Sequence, residues 1–354
     1  MKVRSILLML MVLWGCESAL DTNPPGNPPP PSSGDPWLVP ITHVFEATGR
    51  DAIPALSNPS LVEISEAGYM FDPELVIGYY DGQTAIAYPH HILDWHEVIN
   101  HQVNGFFMTI TYCPLTGTGI GWPQNIDGFE TEFGVSGLLY NNNLITFDRN
   151  TGSNWSQITS QAVNGPKIGT QIPIFQLVET RWSTWKEMFP NTKVASRDTG
   201  WDRPYGQYPY DDFRSNHDEL FFPLTVDDQR LPRKERVHGL IVNDQVKVFR
   251  FDSFGSDNTL IFDTFQDEEL VVVGNVDRNY IVSFFRKLAD GSSPNFQVLD
   301  EGKVILGDDQ GNKWDIYGNP VAGTLQEPLI PTRSFMGFWY AWGAFFPSPE
   351  IYDF

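Results

Sequence analysis

The chain is poor in cysteine, in basic residues and in long apolar runs. Two cysteines in 354 residues, Cys16 and Cys113, exclude a disulfide-stapled scaffold and any four-cysteine zinc site. Only 23 Lys and Arg stand against 44 Asp and Glu, a net charge of −21. A surface that acidic repels phosphate backbones, which excludes nucleic acid as a partner. The apolar run Ile6–Trp14 is too short to cross a bilayer, which takes about 20 helical residues. What is present suits folding: 41% hydrophobic against 19% charged residues is the balance of a chain with a core. Thirty Gly and 27 Pro favour turns and short strands over long helices, and the length suits about two domains.

Residues 1–16 read as an address. Lys2 and Arg4 precede the apolar run, and Gly15-Cys16 follows it, the order of a secretory signal. Leu13-Trp14-Gly15-Cys16 resembles a bacterial lipobox, whose cysteine is acylated and becomes the new N-terminus; the alternative is an ordinary signal with Cys16 incidental. Glu17 in place of Asp implies, by the same resemblance, the outer membrane. The linker 17–36 includes DTNPPGNPPPPSSGDP, an extended, semi-rigid stalk with nothing to build a core from. Removing residues 1–15 takes away Lys2 and Arg4 and leaves 21 basic against 44 acidic residues, a charge of −23. The expectation is a bacterial envelope protein held to the membrane by a lipid on Cys16, its body standing off an anionic surface.

From Trp37 on, the pattern is mainly β (α+β) with a few short helices. Leu75–Tyr80, Asp81-Gly82 and Thr84–Tyr88 spell a hairpin, and Phe106–Tyr112 follows Asn104-Gly105 as a further strand. Helices are expected near Asp94–Asn100, where Asp94 and Glu97 have capping-box spacing, and near Thr184–Phe189. An internal repeat runs through the chain. Gly152-Ser-Asn-Trp155 and Ala162–Gly165 recur as Gly311-Asn-Lys-Trp314 and Pro320–Gly323. Asp148 recurs as Asp308 or Asp309, Thr180-Arg181 as Thr332-Arg333, and Phe189-Pro190 as Phe346-Pro347. Val76–Tyr88 has a weaker echo from Val237. These give two tandem related β-rich modules, 37–200 and 236–354, joined by a polar, Tyr-rich loop at 201–235.

Chemistry concentrates in the first module. His90, His91, His96 and His101 fall close together, yet His96-Glu97 continues Val98-Ile99-Asn100, so no H-E-x-x-H zinc-protease helix forms. Histidines so clustered serve more often as structural hydrogen-bonding groups than as ligands. Cys113 has no intramolecular partner if Cys16 is acylated. In an oxidising envelope it is buried, metal-bound or kept for its reactivity. The corresponding strand of the second module, Glu269–Gly274, leads into Asn275-Val276-Asp277, with neither cysteine nor histidine, as in a scaffold copy. Gly134-Val135-Ser136-Gly137 is not a hydrolase nucleophile elbow. Loop carboxylates at Asp198, Asp211-Asp212 and Asp218-Glu219 could bind Ca²⁺ but ordinarily face water, and Phe338–Trp342 reads as core before it reads as a sugar platform.

The segments Ala87–Asn100, Thr111–Thr118, Phe133–Asn141, Asp148–Gln157, Ser196–Gly200 and Phe338–Phe345 resemble the domain of unknown function 3179 family of bacterial envelope proteins, over most of 45–354. The resemblance implies no activity. It does imply a turn reading Cys-Pro-Leu-Cys-Gly-Thr, where this chain carries Thr116. A redox pair within one chain is therefore ruled out, and a metal site needs Cys113 and His96 plus a further donor. The leading expectation is a cleft around Cys113 and His96, with Glu97, Ser136, Asn141, Asp148, Trp155 and Gln157 nearby, binding one transition metal ion (zinc or copper) or a small ligand. Two rivals stand beside it: a thiol enzyme with Cys113 as nucleophile and His96 as base, and a structural or interaction module with an inert Cys113. Cys16→Ser is expected to move the protein from the membrane fraction to the soluble one, because the acyl chains supply the membrane affinity; unchanged fractionation would remove the anchor.

Overall fold

The computed structural model describes residues 34–353; the signal segment, Cys16 and residues 17–33 of the linker lie outside them. The fold is mainly β with three short α-helices among the described residues. Leaving aside a few very short edge strands, the first half runs β1 (Leu75–Tyr80), β2 (Ala85–Pro89), α1 (His90–His96), β3 (Val98–Val103), β4 (Phe106–Cys113), β5 (Thr118–Pro123), β6 (Phe133–Tyr140), β7 (Asn143–Asp148), β8 (Asn154–Ser156), β9 (Gln161–Asn164), β10 (Val178–Arg181), α2 (Trp182–Met188) and β11 (Lys193–Ala195). The second half runs β12 (Arg236–Val242), β13 (Gln245–Arg250), β14 (Thr259–Phe265), β15 (Glu268–Asn275), β16 (Tyr280–Phe285), β17 (Phe296–Glu301), β18 (Val304–Asp308), β19 (Lys313–Asp315), β20 (Pro320–Ala322), β21 (Arg333–Phe338), α3 (Trp339–Phe345) and β22 (Glu350–Ile351).

Strand for strand, the halves pair alike. The sheet β10-β1-β2-β11 matches β21-β12-β13-β22, each with two antiparallel pairings and one parallel. The meander β3-β4-β5 matches β14-β15-β16. The ladder β6-β7-β8-β9 matches β17-β18-β19-β20. Trp155 and Trp314 both lie fully buried on the third strand of that ladder. Of the two aspartates, Asp308 is the counterpart of Asp148: each ends its strand and accepts backbone amides of the following turn on Oδ1.

Two details of the sequence register change. The first helix starts at His90 rather than Asp94, because Pro89 sets the extended residue before it and Glu97, at φ +57°, ends it in the left-handed region. Asp94 is thus a mid-helix residue and no capping box forms. In the repeat, Thr332-Arg333 does not match Thr180-Arg181. Arg181 directly precedes α2 and Phe338 directly precedes α3, so Trp182 and Trp185 answer to Trp339 and Trp342. Gly78 and Gly239 fix this alignment. A Cβ on Gly78 would lie 2.1 Å from the Trp185 ring, and one on Gly239 would lie 2.3 Å from the Trp342 ring.

The halves are not self-contained. Each sheet-and-helix unit docks on the meander of the other half. Phe338 N donates to Thr116 O at 2.7 Å and the Tyr340 hydroxyl to Leu115 O at 2.8 Å, in the β4–β5 turn. Reciprocally, Thr180 Oγ1 donates to Arg278 O at 2.6 Å and Arg181 N to the same oxygen at 3.4 Å, in the β15–β16 turn. The cores follow suit: Cys113, Leu115 and Trp155 pack with Trp339 and Trp342, while Val76 and Trp185 pack with Val271 and Trp314. Residues 201–235 carry no helix or strand, yet they are more than a solvated loop. Asn141 and Asn142, at φ +50° and +60°, grip this strap: Thr225 N and Phe222 N donate to their side-chain oxygens, both at 2.8 Å.

Gly78→Ala and Gly239→Ala should each cost about 1–3 kcal/mol by overpacking against a tryptophan ring, measured by urea unfolding. Gly68→Ala, where an added Cβ meets nothing within 4 Å, is the control; equal effects at all three sites would remove the Gly–Trp contact as the cause.

Candidate functional site

A cavity of about 560 Å³ opens between the β6–β7 hairpin, the end of β4 and the strap. The left-handed turn at Glu97 brings that residue back beside β4, where Tyr112 N donates to Glu97 O at 2.7 Å. Glu97 and Cys113 therefore share the inner end of the cavity, with Leu115, Val135 and Leu144 as its apolar wall. The strap supplies the outer side with Tyr210, Asp211, Asp212, Glu219, Phe221 and Phe222, and the short strand Val44–Glu46 adds Glu46.

Cys113 is 1% exposed. Its thiol donates to Asn142 O at 3.6 Å, and burial, reinforced by the neighbouring Glu97 carboxyl, pushes its pKa up to about 11. It is a thiol, not a thiolate, at neutral pH. The Thr116 hydroxyl in the turn that follows donates to Thr118 Oγ1 at 2.8 Å and accepts from Asn143 Nδ2 at 2.9 Å. Glu97 is likewise protonated: burial raises its carboxyl to about 8, although the Tyr210 hydroxyl donates to Oε1 at 3.1 Å.

His96 makes no hydrogen bond to Cys113. It is fully buried, its Nδ1 donates to Pro54 O at 2.7 Å, and Nε2 accepts from the Tyr205 hydroxyl at 2.5 Å. Burial lowers its pKa, so it is a neutral structural imidazole whose ring nitrogens are both occupied. The general-base role and the Cys113–His96 metal pair both lose their geometry. The other histidines are dispersed in the same way: His90 meets the Tyr112 hydroxyl at 3.1 Å and Glu179 at 3.4 Å, His91 accepts from Arg197 at 3.3 Å, and His101 bonds the Tyr88 hydroxyl at 2.6 Å. Among the described residues no three His, Cys, Asp or Glu side chains converge as a metal site, so a zinc or copper ion does not fit the donors present.

Of the remaining candidates, the loop carboxylates Asp211, Asp212 and Glu219 line the outer side of the cavity, whereas Ser136, Asn141, Asp148, Trp155 and Gln157 do not. Ser136 donates to Ile145 O at 2.6 Å and accepts from Leu138 N at 3.0 Å, closing a register shift in β6. Asn141 holds the strap. The Asp148 carboxylate accepts from Trp155 Nε1 at 3.0 Å and caps the β7–β8 turn. Gln157 is the hub of a buried polar network, accepting from Thr118 and Asn143 at 2.7 Å each and donating to Thr111 Oγ1 at 3.1 Å. The Phe338–Trp342 aromatics are buried core. In the second half β15 ends at Asn275, the position of Cys113, and that amide is bonded to Asn258 and Arg278. Of the strap, the sequence singled out only loop carboxylates, Asp211, Asp212 and Glu219 among them; Tyr210, Phe221 and Phe222 escaped it. Their one signal is an excess of aromatics, Tyr205, Tyr208, Tyr210, Phe213, Phe221 and Phe222, in a segment otherwise polar enough to be solvated.

Two outcomes follow from the protonation states. Alkylation of Cys113 by iodoacetamide should be slow at pH 7 and climb about tenfold per pH unit toward pH 9.5, unchanged in slope in His96→Ala; fast, pH-independent labelling at neutrality would contradict the raised thiol. The Glu97 carboxyl binds its proton more tightly folded (about 8) than at its ordinary value of 4.5, so it favours the fold below that value and ceases to as pH rises toward 8. Glu97→Gln should therefore gain stability over wild type between pH 5 and pH 8 in denaturant titrations, by a margin that grows with pH; a constant difference would contradict it.

No match was found among curated proteins or among solved structures. A family described as "Protein of unknown function (DUF3179)" matches residues 50–349, nearly the whole of both halves and every residue of the cavity's inner end. The chain belongs to that family.

Proposed function

We propose that this chain is a lipid-anchored envelope protein that binds a small molecule in the cavity above Cys113 and Glu97. The observation that carries the reading is the cavity itself. Its roughly 560 Å³ falls within the range of about 300–1,000 Å³ usual for small-molecule sites, with a mostly apolar wall and few polar groups at the inner end. A purely structural module would close such a volume, since an unfilled apolar space forfeits packing contacts. The thiol-enzyme reading has less support: Cys113 holds its proton and His96, its expected base, is bonded elsewhere. A stalk of the kind read at 17–36 would present the cavity away from the membrane to molecules in the surrounding compartment.

The test uses a neutral apolar fluorophore, 1-N-phenylnaphthylamine, which brightens when it leaves water. Wild type should enhance its emission saturably. Ala47→Trp, at an exposed position lining the mouth, should abolish the enhancement with its unfolding midpoint unchanged. Equal enhancement by both proteins would place the dye elsewhere and overturn the reading.

A further inference from the structure

Resting on the reading of the cavity as a ligand site, we infer that its ligand is an organic cation: an amine with an apolar body, the ammonium set against Glu97 and the body against Leu144, Tyr210 and Phe221. The lining is one-sided in charge. It includes five carboxylic acids, at Glu46, Glu97, Asp211, Asp212 and Glu219, and no Lys, Arg or His. An anionic ligand would meet no cationic partner there. The outer acids face solvent or stand half-buried, so they draw cations to the mouth without holding them.

Glu97 is a separate matter from that acidic rim. It is 5% exposed and lines the inner end of the cavity. The Tyr210 hydroxyl occupies Oε1, whereas Oε2 accepts no hydrogen bond among the described residues. Once ionised, a carboxyl in an apolar pocket with one oxygen facing open space is an acceptor awaiting a donor. An ammonium supplies that donor and the compensating charge, and aromatic faces at Tyr210 and Phe221 accommodate a desolvated cation. A metal ion has no such fit, because a single carboxylate is too few ligands. A neutral alcohol would satisfy the hydrogen bond but could not stabilise the ionised acid.

The charge balance of binding is then fixed. Unliganded Glu97 is protonated near neutral pH, its carboxyl raised to about 8 by burial. An arriving ammonium favours the carboxylate, so the Glu97 proton leaves to buffer as the ion pair forms. Of the groups facing Glu97, Tyr210 from the strap and Cys113 from β4 are already held protonated by burial and take up no proton, whereas Asp94 from α1, raised by burial to about 7 despite its Arg214 partner, takes up part of it.

The experiment compares n-hexylamine with n-hexanol, equal in length, as competitors of 1-N-phenylnaphthylamine at pH 7, with calorimetry of the amine in phosphate and in Tris. Wild type should prefer the amine by about tenfold or more and release protons to buffer, up to one per amine bound. Glu97→Gln should lose both the preference and the proton release. If the fluorophore binds but hexanol competes as well as hexylamine, the cavity reading stands and the cation inference fails. Retained preference in Glu97→Gln would also overturn it. If neither fluorophore nor amine binds, both readings fail together. The proton count in wild type decides the question independently of whether the variant folds.

Discussion

The backbone groups at the start of α2 and α3 find their partners in the opposite half of the molecule, and the remainder of the structure depends on that exchange. A helix's first amides have no acceptor within the helix. Here the amide just before each helix reaches a carbonyl in the other half's meander turn, Thr116 O for Phe338 and Arg278 O for Arg181. The consequence is specific to the site. Cys113 sits where it does because the turn that follows it is clamped by a helix more than two hundred residues away in sequence, with Tyr340 bonding Leu115 O as well. The second half carries no counterpart of the thiol, but it is the scaffold that positions the thiol in the first.

Burial without compensation sets the chemistry of the cavity. Glu97 and Cys113 are two acids in one desolvated place, each raised by burial, and an ionised Glu97 makes the thiol harder still to ionise. No histidine or guanidinium lines the same space to relieve them, although histidines are plentiful nearby. Those histidines are occupied one by one by Pro54, Tyr205, Tyr112, Arg197 and Tyr88. A cluster along the chain has become a scatter in space. The result is a site with acceptor capacity and latent negative charge rather than a nucleophile with its base, and this asymmetry gives the ligand reading its preference for a cation.

Thr116 illustrates how the fold uses the position at which the family pattern implies a second cysteine. Its hydroxyl donates to Thr118 Oγ1 and accepts from Asn143, tying the turn beside Cys113 to the buried Thr118–Gln157 network. The network is satisfied throughout, so the chain gains a rigid, unreactive support under the cavity where a pair of thiols would be redox-active.

The sequence by itself determined the elements and their duplication. Alternating apolar residues around Asp81-Gly82 and Asn104-Gly105 specify hairpins by local twist and turn geometry, and Trp155 and Trp314 mark the repeat because each satisfies a packing need that recurs in both halves. It also placed Cys113 at a strand end, and it named Glu97 without its purpose. Tertiary structure alone decided which half each helix serves, since helix docking is set by long-range packing that leaves no local trace. It decided that His96 turns to Pro54 and Tyr205 instead of Cys113, because a ring on a seven-residue helix can face any neighbour the fold supplies. And it decided that Tyr210, Phe221 and the strap carboxylates close over the site: a segment without periodicity is indistinguishable from solvated loop until the surface it covers exists.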